Sequence, residues 1–442
     1  MTAPTTMHNA FDPSMLGDLP ASQRAKIERR EHVLGPGYRL FYREPLEIVR
    51  GSGAHLFGPD GTDYLDAYNN VPSVGHCHPH VVEAVHRQMQ TLNTNTRYVQ
   101  DSLVDYAERL TATFPDELTR VTFTCSGSEA NDLAVRLARW VTGNTGMIVT
   151  ETAYHGLTIS VAEFSPSLGL ASGLGEHVRT IPAPDQRRHA GKGDLGSFMA
   201  EQVRLAAEDL KAHGYGVAAF IADSIFSSDG VFSDPPGFLR PVVDEVHRAG
   251  GLYIADEVQP GFGRTGAGWW GFQRHRIVPD IVTIGKPMGN GIPIAGAVFR
   301  PELTEDFGQQ IRYFNTFGGN SVSIAAASAV MDVVESEDLM GNARRQGERL
   351  LKGLREFTAD REDVLEVRGA GLFIGVDFVT DRDSRRPDGA RAAAVVHGMR
   401  ERNVLISASG AQGNVLKIRP PLVLGDADVD RFLEAFAAAV TS

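Results

Sequence analysis

Apolar residues recur at helical spacing in VVEAVHRQMQTL (81–92) and LVDYAERL (103–110), each with a polar opposite face. Beyond them the pattern changes to short apolar runs: VTFT (121–124), MIVT (147–150), VAAFIA (217–222), LYIAD (252–256) and DIVTIG (280–285), with helical stretches before several of them. Such alternation predicts an α/β fold, a doubly wound and mostly parallel sheet covered on both faces. Upstream, LEIVRGSGAHLFGPDGTDYLD (46–66) sets two extended stretches around the turn signals Gly58-Pro59-Asp60-Gly61, the pattern of a hairpin or meander. After SIAAASAVMDVV (323–334) comes a long charged amphipathic stretch, NARRQGERLLKGLREF (342–357). FIGVDFV (373–379), a helix, VLKIR (415–419) and a final helix follow, the make-up of a smaller α+β domain. The expected division is an N-terminal arm with part of the small domain (1–75), a large domain (76–330) and a C-terminal small domain (331–442). Residues 1 to about 30, polar and Pro-containing, read as a loosely ordered arm.

A chain of 442 residues suits two or three domains at roughly 150 residues each. Its 42% hydrophobic and 22% charged residues exclude a disordered, collagen-like or coiled-coil chain. The net charge of −12 discourages binding to nucleic acid or anionic membranes, while leaving room for a local basic pocket. Cys77 and Cys125 are the only cysteines, too few for a disulfide scaffold. The start, MTAPTTMHNAFDPSMLGDLP, shows no basic-then-apolar leader, and no apolar run approaches the roughly 20 residues that span a bilayer. A cytoplasmic protein is the expectation.

Four motifs invite chemistry. In Thr124-Cys125-Ser126-Gly127-Ser128-Glu129-Ala130 a strand runs into a helix through Ser-Gly-Ser. That geometry suits a phosphate at the helix N-terminus, and it equally suits a plain N-cap. Gly261-Phe262-Gly263-Arg264-Thr265-Gly266 matches G-x-G-x-x-G, but it runs into Ala-Gly-Trp-Trp-Gly where a dinucleotide fold needs a helix, so it reads as a loop. His76, Cys77, His78 and His80 crowd potential metal ligands, yet no distant Cys/His pair completes a set, and a structural turn is the better reading. Finally, Asp256 ends one apolar strand and Lys286 ends another, which lets both face the crevice beyond a parallel sheet. A lysine there can form a Schiff base and a buried aspartate can hold a pyridinium nitrogen. With a phosphate at Ser126–Ser128 the set describes pyridoxal 5′-phosphate.

LDAYNNVPSVGHCHPHVVEA, LNTNTRY, CSGSEANDLAVRLAR, AYHG, LYIADEVQPGFGRTG, VTIGKPMGNGIP, YFNTFGGN, RGAGLFIGVDF and NVLKIRPPL together resemble the class III (ω-aminotransferase) branch of fold-type I pyridoxal-phosphate enzymes, over nearly the whole chain. The resemblance implies that Lys286 is the Schiff-base lysine and moves the substrate proton. It implies Asp256 at the ring nitrogen, Val258 and Tyr154 against the two ring faces, and Gln259 near O3′. Ser126, Gly127 and Ser128 would form the phosphate cup. Thr316 would reach the phosphate in a neighbouring subunit of a homodimer, and Arg419 would receive a substrate carboxylate.

Two departures stand out. Where the family commonly reads Glu-Pro-Ile/Val-Gln-Gly, this chain reads Asp223-Ser224-Ile225-Phe226-Ser227, and the gating glutamate of some relatives falls at Ser228, beside Asp229. That argues against an arginine–glutamate switch for 2-oxoglutarate and for a small acceptor such as pyruvate or glyoxylate. The subgroup resembled includes alanine–glyoxylate aminotransferase-like proteins and ethanolamine-phosphate phospho-lyases, and the latter tend to carry a further His where Leu157 stands here. The leading expectation is ping-pong transfer of an amino group from a primary amine or ω-amino acid to a small 2-oxo acid. The alternative is elimination of phosphate from ethanolamine phosphate or a similar amino-alcohol phosphate, with Arg97 and Arg419 as candidate phosphate ligands.

Overall fold

The computed structural model describes residues 7–169 and 171–441. At its centre is a seven-stranded sheet in the order Arg120–Thr124, Ala295–Phe299, Ile281–Ile284, Leu252–Asp256, Val217–Asp223, Gly146–Thr150, Val178–Ile181. Ala295–Phe299 alone runs against its neighbours, so the other six strands are parallel. Alternate side chains leave opposite faces of a strand. Ile148, Phe220, Tyr253 and Val282 accordingly join one apolar core, while Met147, Val149, Ile221 and Ile254 join another across the sheet. Coverage of both faces explains why these strands are apolar throughout instead of alternating. Each fully buried Phe or Ile contributes roughly 1.5–3 kcal/mol.

The meander expected at 46–66 is present as Arg50–Ser52, His55–Phe57 and Asp63–Asp66, and Val404–Leu405 from the far end of the chain adds to it in parallel. A further antiparallel sheet holds Val364–Ala370, Phe373–Phe378, Val415–Ile418 and Ser407–Ser409.

One expectation fails in residues 13–34. A 3₁₀ turn (Pro13–Asp18) and a helix (Ala21–Leu34) replace the loose arm, and Phe11, Leu19 and Ile27 form a small core of their own. ASQRAKIERREHVL has no apolar stripe but is rich in strong helix formers, so propensity marks it where periodicity does not. Residues 1–6 of that expected arm lie outside the described residues. The G-x-G-x-x-G match is a run of turns, from which Arg264 is buried and donates to the carbonyls of Leu372 and Pro420. His76, His78 and His80 pair separately with Asp66, Glu337 and Asp332, and both cysteines are unbridged. Among the described residues no cluster of three His, Cys, Asp or Glu side chains could hold a metal, and no helix is long and apolar enough to cross a membrane.

Candidate active site

Beyond the carboxyl ends of the central strands lies a crevice of about 360 Å³. At one end the strand Arg120–Thr124 passes into the helix Gly127–Thr142. Ser126 is the N-cap: its Oγ accepts from Glu129 N at 3.3 Å, and the Glu129 carboxylate accepts from Ser126 N at 3.2 Å and Cys125 N at 2.6 Å. The N-cap reading of the Ser-Gly-Ser segment is observed, and it leaves room for the phosphate reading. The capping box occupies the Ser126 hydroxyl, while the first helical N–H groups, with no acceptor inside the helix, lie at the crevice where Gly127 and Ser128 line it. Ser128 Oγ accepts from Leu157 N at 3.0 Å and keeps its own proton to donate. A Cβ at Gly127 would sit 3.0 Å from Val258 Cγ2, so glycine keeps this floor open. Gly156, at φ +143°, brings its loop so close to Ser128 that a Cβ would lie 2.4 Å from Oγ.

At the other end stands Asp256. Its Oδ2 accepts from His155 Nδ1 at 2.7 Å and Asn131 Nδ2 at 3.0 Å, and its Oδ1 from Val258 N at 3.1 Å. Tyr154 and Val258 line the space between the ends. Burial, with a contribution from Asp256, pushes the Tyr154 phenol pKa up.

Lys286 lines the same crevice. Loss of solvent and the charge of Arg419 lower its ammonium pKa, while Asp256 and Asp223 work the other way, and the net shift favours the nucleophilic free amine. Asp223, in register with Asp256 on the neighbouring strand, accepts from Ile225 N and Ser227 N; burial and then the charge of Asp256 raise its pKa.

Arg419 is buried over the Tyr68 ring (4.6 Å to the centroid). Its Nη1 donates to Asn70 Oδ1 at 3.1 Å and to Gln259 Oε1, and its Nε is buried without an acceptor. Gln259 Nε2 in turn donates to Ser227 Oγ at 2.5 Å. No carboxylate pairs with Arg419 among the described residues. Asp229, the acid beside the gating position, instead accepts from Thr152 N and the hydroxyls of Thr150 and Thr152. Two residues before Arg419, Lys417 is buried, and its ammonium has neither a hydrogen bond nor an ion pair among the described residues. Burial, then the charge of Arg419, holds its pKa well below the ordinary value.

A desolvated lysine amine, a carboxylate held by three donors and a helix N-terminus opened by glycine now share one crevice. Residues 41–440 match the family model for class-III aminotransferases. The chain belongs to the class-III aminotransferase family. It is 43% identical to an alanine–glyoxylate aminotransferase 2-like protein of Drosophila melanogaster over 95% of this chain and 88% of that one. It is 45% identical (TM-score 0.91) to a phospholyase from Arthrobacter solved with phosphoethanolamine, over 94% and 99% of the two chains. An amine transaminase from an uncultivated Pseudomonas species, solved in its PLP-bound form, is 29% identical (TM-score 0.82) over 90% and 95%. This class-III protein is thus a fold-type I enzyme that uses pyridoxal 5′-phosphate. Its crevice fits that group by the chemistry of its side chains and backbone: N–H groups and Ser128 for a phosphate, a lysine amine of lowered pKa for an aldehyde, and a carboxylate for a protonated ring nitrogen.

Most of the residues expected from the sequence converge here: Ser126, Gly127, Ser128, Tyr154, Asp256, Val258, Gln259 and Lys286 all line the crevice. Arg419 stands just behind Gln259. Thr316 does not join them; it is exposed on the loop after Phe314. Arg97 lies outside the crevice as well, its guanidinium 3.9 Å from the centroid of Phe314. Sequence reasoning gave no role to His155, Asn131 or Lys417. Lys417 had a usable signal, because on a strand a residue two before Arg419 shares its face. Asn131 and His155 had none, since their contact with Asp256 spans 125 and 101 residues.

Proposed function

We propose that this enzyme eliminates inorganic phosphate from a small amino-alcohol phosphate of the ethanolamine phosphate type. The observation that carries the reading is Arg419, whose guanidinium donates to Asn70 and Gln259, meets no carboxylate among the described residues and keeps a buried Nε without an acceptor, with Lys417 buried two residues before it. A phosphate monoester carries −1.5 to −2 charges at neutral pH and offers three acceptor oxygens, which matches a guanidinium with an idle Nε–H and a second basic side chain, Lys417, better than a single carboxylate does. The phosphoethanolamine held by the Arthrobacter relative supports the same substrate class.

Lys286, Asp256, Tyr154, Val258 and the Ser126–Ser128 cup are the residues that would hold the cofactor. When bound, pyridoxal phosphate supplies a carbonyl for the substrate amine and an electron sink for the adjacent C–H bond. Lys286, whose ammonium pKa is lowered by burial and by Arg419, takes the proton from the amine-bearing carbon. Asp256 holds positive charge on the ring nitrogen. Lys417 and Arg419 grip the departing phosphate and stabilise its charge as the C–O bond breaks.

Transamination to pyruvate or glyoxylate is the second reading. Leu157 favours it, an exposed apolar residue where the phospho-lyases that the sequence resembles tend to carry a further histidine. Incubation with ethanolamine phosphate and no keto acid separates the two. Continuous release of phosphate with equimolar acetaldehyde supports elimination; a lasting pyridoxamine spectrum without phosphate would overturn it.

A homodimer belongs to the same proposal. Leu92, Tyr98, Val99, Phe314 and Phe317 are exposed on two segments tied together by Asn320–Asn93, Ser321–Leu92 and Arg97–Phe314 contacts. Burying that patch against a second copy would bring Thr316 to a neighbouring crevice. Light scattering that gives a monomer mass at micromolar concentration would sink it.

A further inference from the structure

Asn131, wholly buried in the second turn of the helix Gly127–Thr142, links the two strands that matter most. Its Nδ2 donates to Asp256 Oδ2 at 3.0 Å and to the His155 carbonyl at 2.7 Å, and its Oδ1 accepts from Thr283 Oγ1 at 2.6 Å. Both neighbours on the nitrogen side are acceptors, so a flipped amide would set oxygen against oxygen twice. The Thr283 hydroxyl satisfies the other end and locks that orientation. Thr283 is itself fully buried and in register with Asp256 on the adjacent strand. The result is a directed chain, hydroxyl to amide to carboxylate, that fixes the rotamer of Asp256.

We propose that Asn131 and Thr283 are positioning residues that aim the Asp256 carboxylate at the ring nitrogen of the cofactor. The inference rests on the cofactor assignment and on the reading of Asp256, and it holds for either reaction. Thr283→Val is nearly isosteric and suits a strand, so it removes the hydroxyl with little change of shape. Asn131→Leu removes the whole relay, and Thr283→Ser restores the hydroxyl.

The experiment titrates each apoprotein with pyridoxal 5′-phosphate and with its 1-deaza analogue, which has CH in place of the ring nitrogen. For Thr283→Val, affinity for pyridoxal phosphate is expected to fall about 10-fold, and affinity for the analogue to stay within about 2-fold, because the lost order acts through one charged hydrogen bond. Thr283→Ser should bind both as the wild type does. Equal weakening toward both ligands, or none toward either, would overturn the proposal, and this holds even if Asn131→Leu fails to fold. Should the wild type itself bind the two ligands equally well, the reading of Asp256 fails first, which separates the two failures.

Discussion

Two charged regions, one at Asp256 and one behind Gln259, treat charge in opposite ways. Around Asp256 each carboxylate oxygen has a donor, and the donors are held by further residues, among them Thr283 and the His155 carbonyl. Around Lys417 and Arg419 the basic groups are short of hydrogen-bond acceptors among the described residues: an amine that lies over the Phe373 ring near Asp223 and Asp229 without a hydrogen bond, and a guanidinium whose bonds go to neutral amides. A saturated network suits a group that stays, because a fixed dipole set needs no rearrangement. An unsaturated one suits a group that comes and goes, because its buried donors lose free energy until an anion arrives.

That contrast can be broken at several points. Lys286→Ala should lower turnover on the order of 10⁴-fold and remove the visible band of the bound cofactor. Retained turnover would refute its role. Asp256→Asn should cost on the order of 10²–10³-fold in kcat with little change in KM, since it weakens charge stabilisation and not substrate capture. Lys417→Met should do the reverse behind Gln259. It should raise KM for ethanolamine phosphate about 10–100-fold, the value of one charge-assisted hydrogen bond, and leave cofactor affinity unchanged. Equal loss of cofactor affinity would erase the distinction between the two regions.

The smallest effect concerns stability. Burial pushes the Asp229 carboxyl up to about 6, against the lowering hydrogen bonds from Thr152 and Thr150. A raised acid is protonated more readily in the fold than in the unfolded chain, so the fold binds the extra proton between its unfolded value, near 4, and about 6. Its contribution to stability is therefore present at low pH and is lost as pH rises through about 6, by at most about 3 kcal/mol. Melting temperatures of the wild type and Asp229→Asn should diverge across that window, the variant losing less on going from pH 4 to 7. Parallel curves would remove Asp229 from the account.

The parallel strands and the helix N-terminus were legible because their signals are local: continuous apolar runs, and Ser-Gly-Ser directly after VTFT. The arrangement of Asp256 and Lys286 was legible for the same reason, since a residue at the end of a parallel strand is placed by the strand alone. The helix Ala21–Leu34 was not, because a helix with a single buried residue carries no periodicity. Thr316 was legible only by resemblance. Its expected work lies in a second subunit, and within its own chain it touches nothing in the crevice.

By itself the sequence determined the class of the fold, the crevice and the chemistry of its cofactor. Each depends on spacing along one strand or one turn, where covalent geometry does the placing. Tertiary structure decided which charges are answered. Asn131 and His155 reach Asp256 from separate elements and Thr283 holds Asn131 from a third, while Asp229 turns to Thr150 and Thr152 and leaves Arg419 without an acid among the described residues. Hydrogen-bond partners lie within about 3 Å in space but far apart along the chain, and only packing of the sheet against its helices selects them.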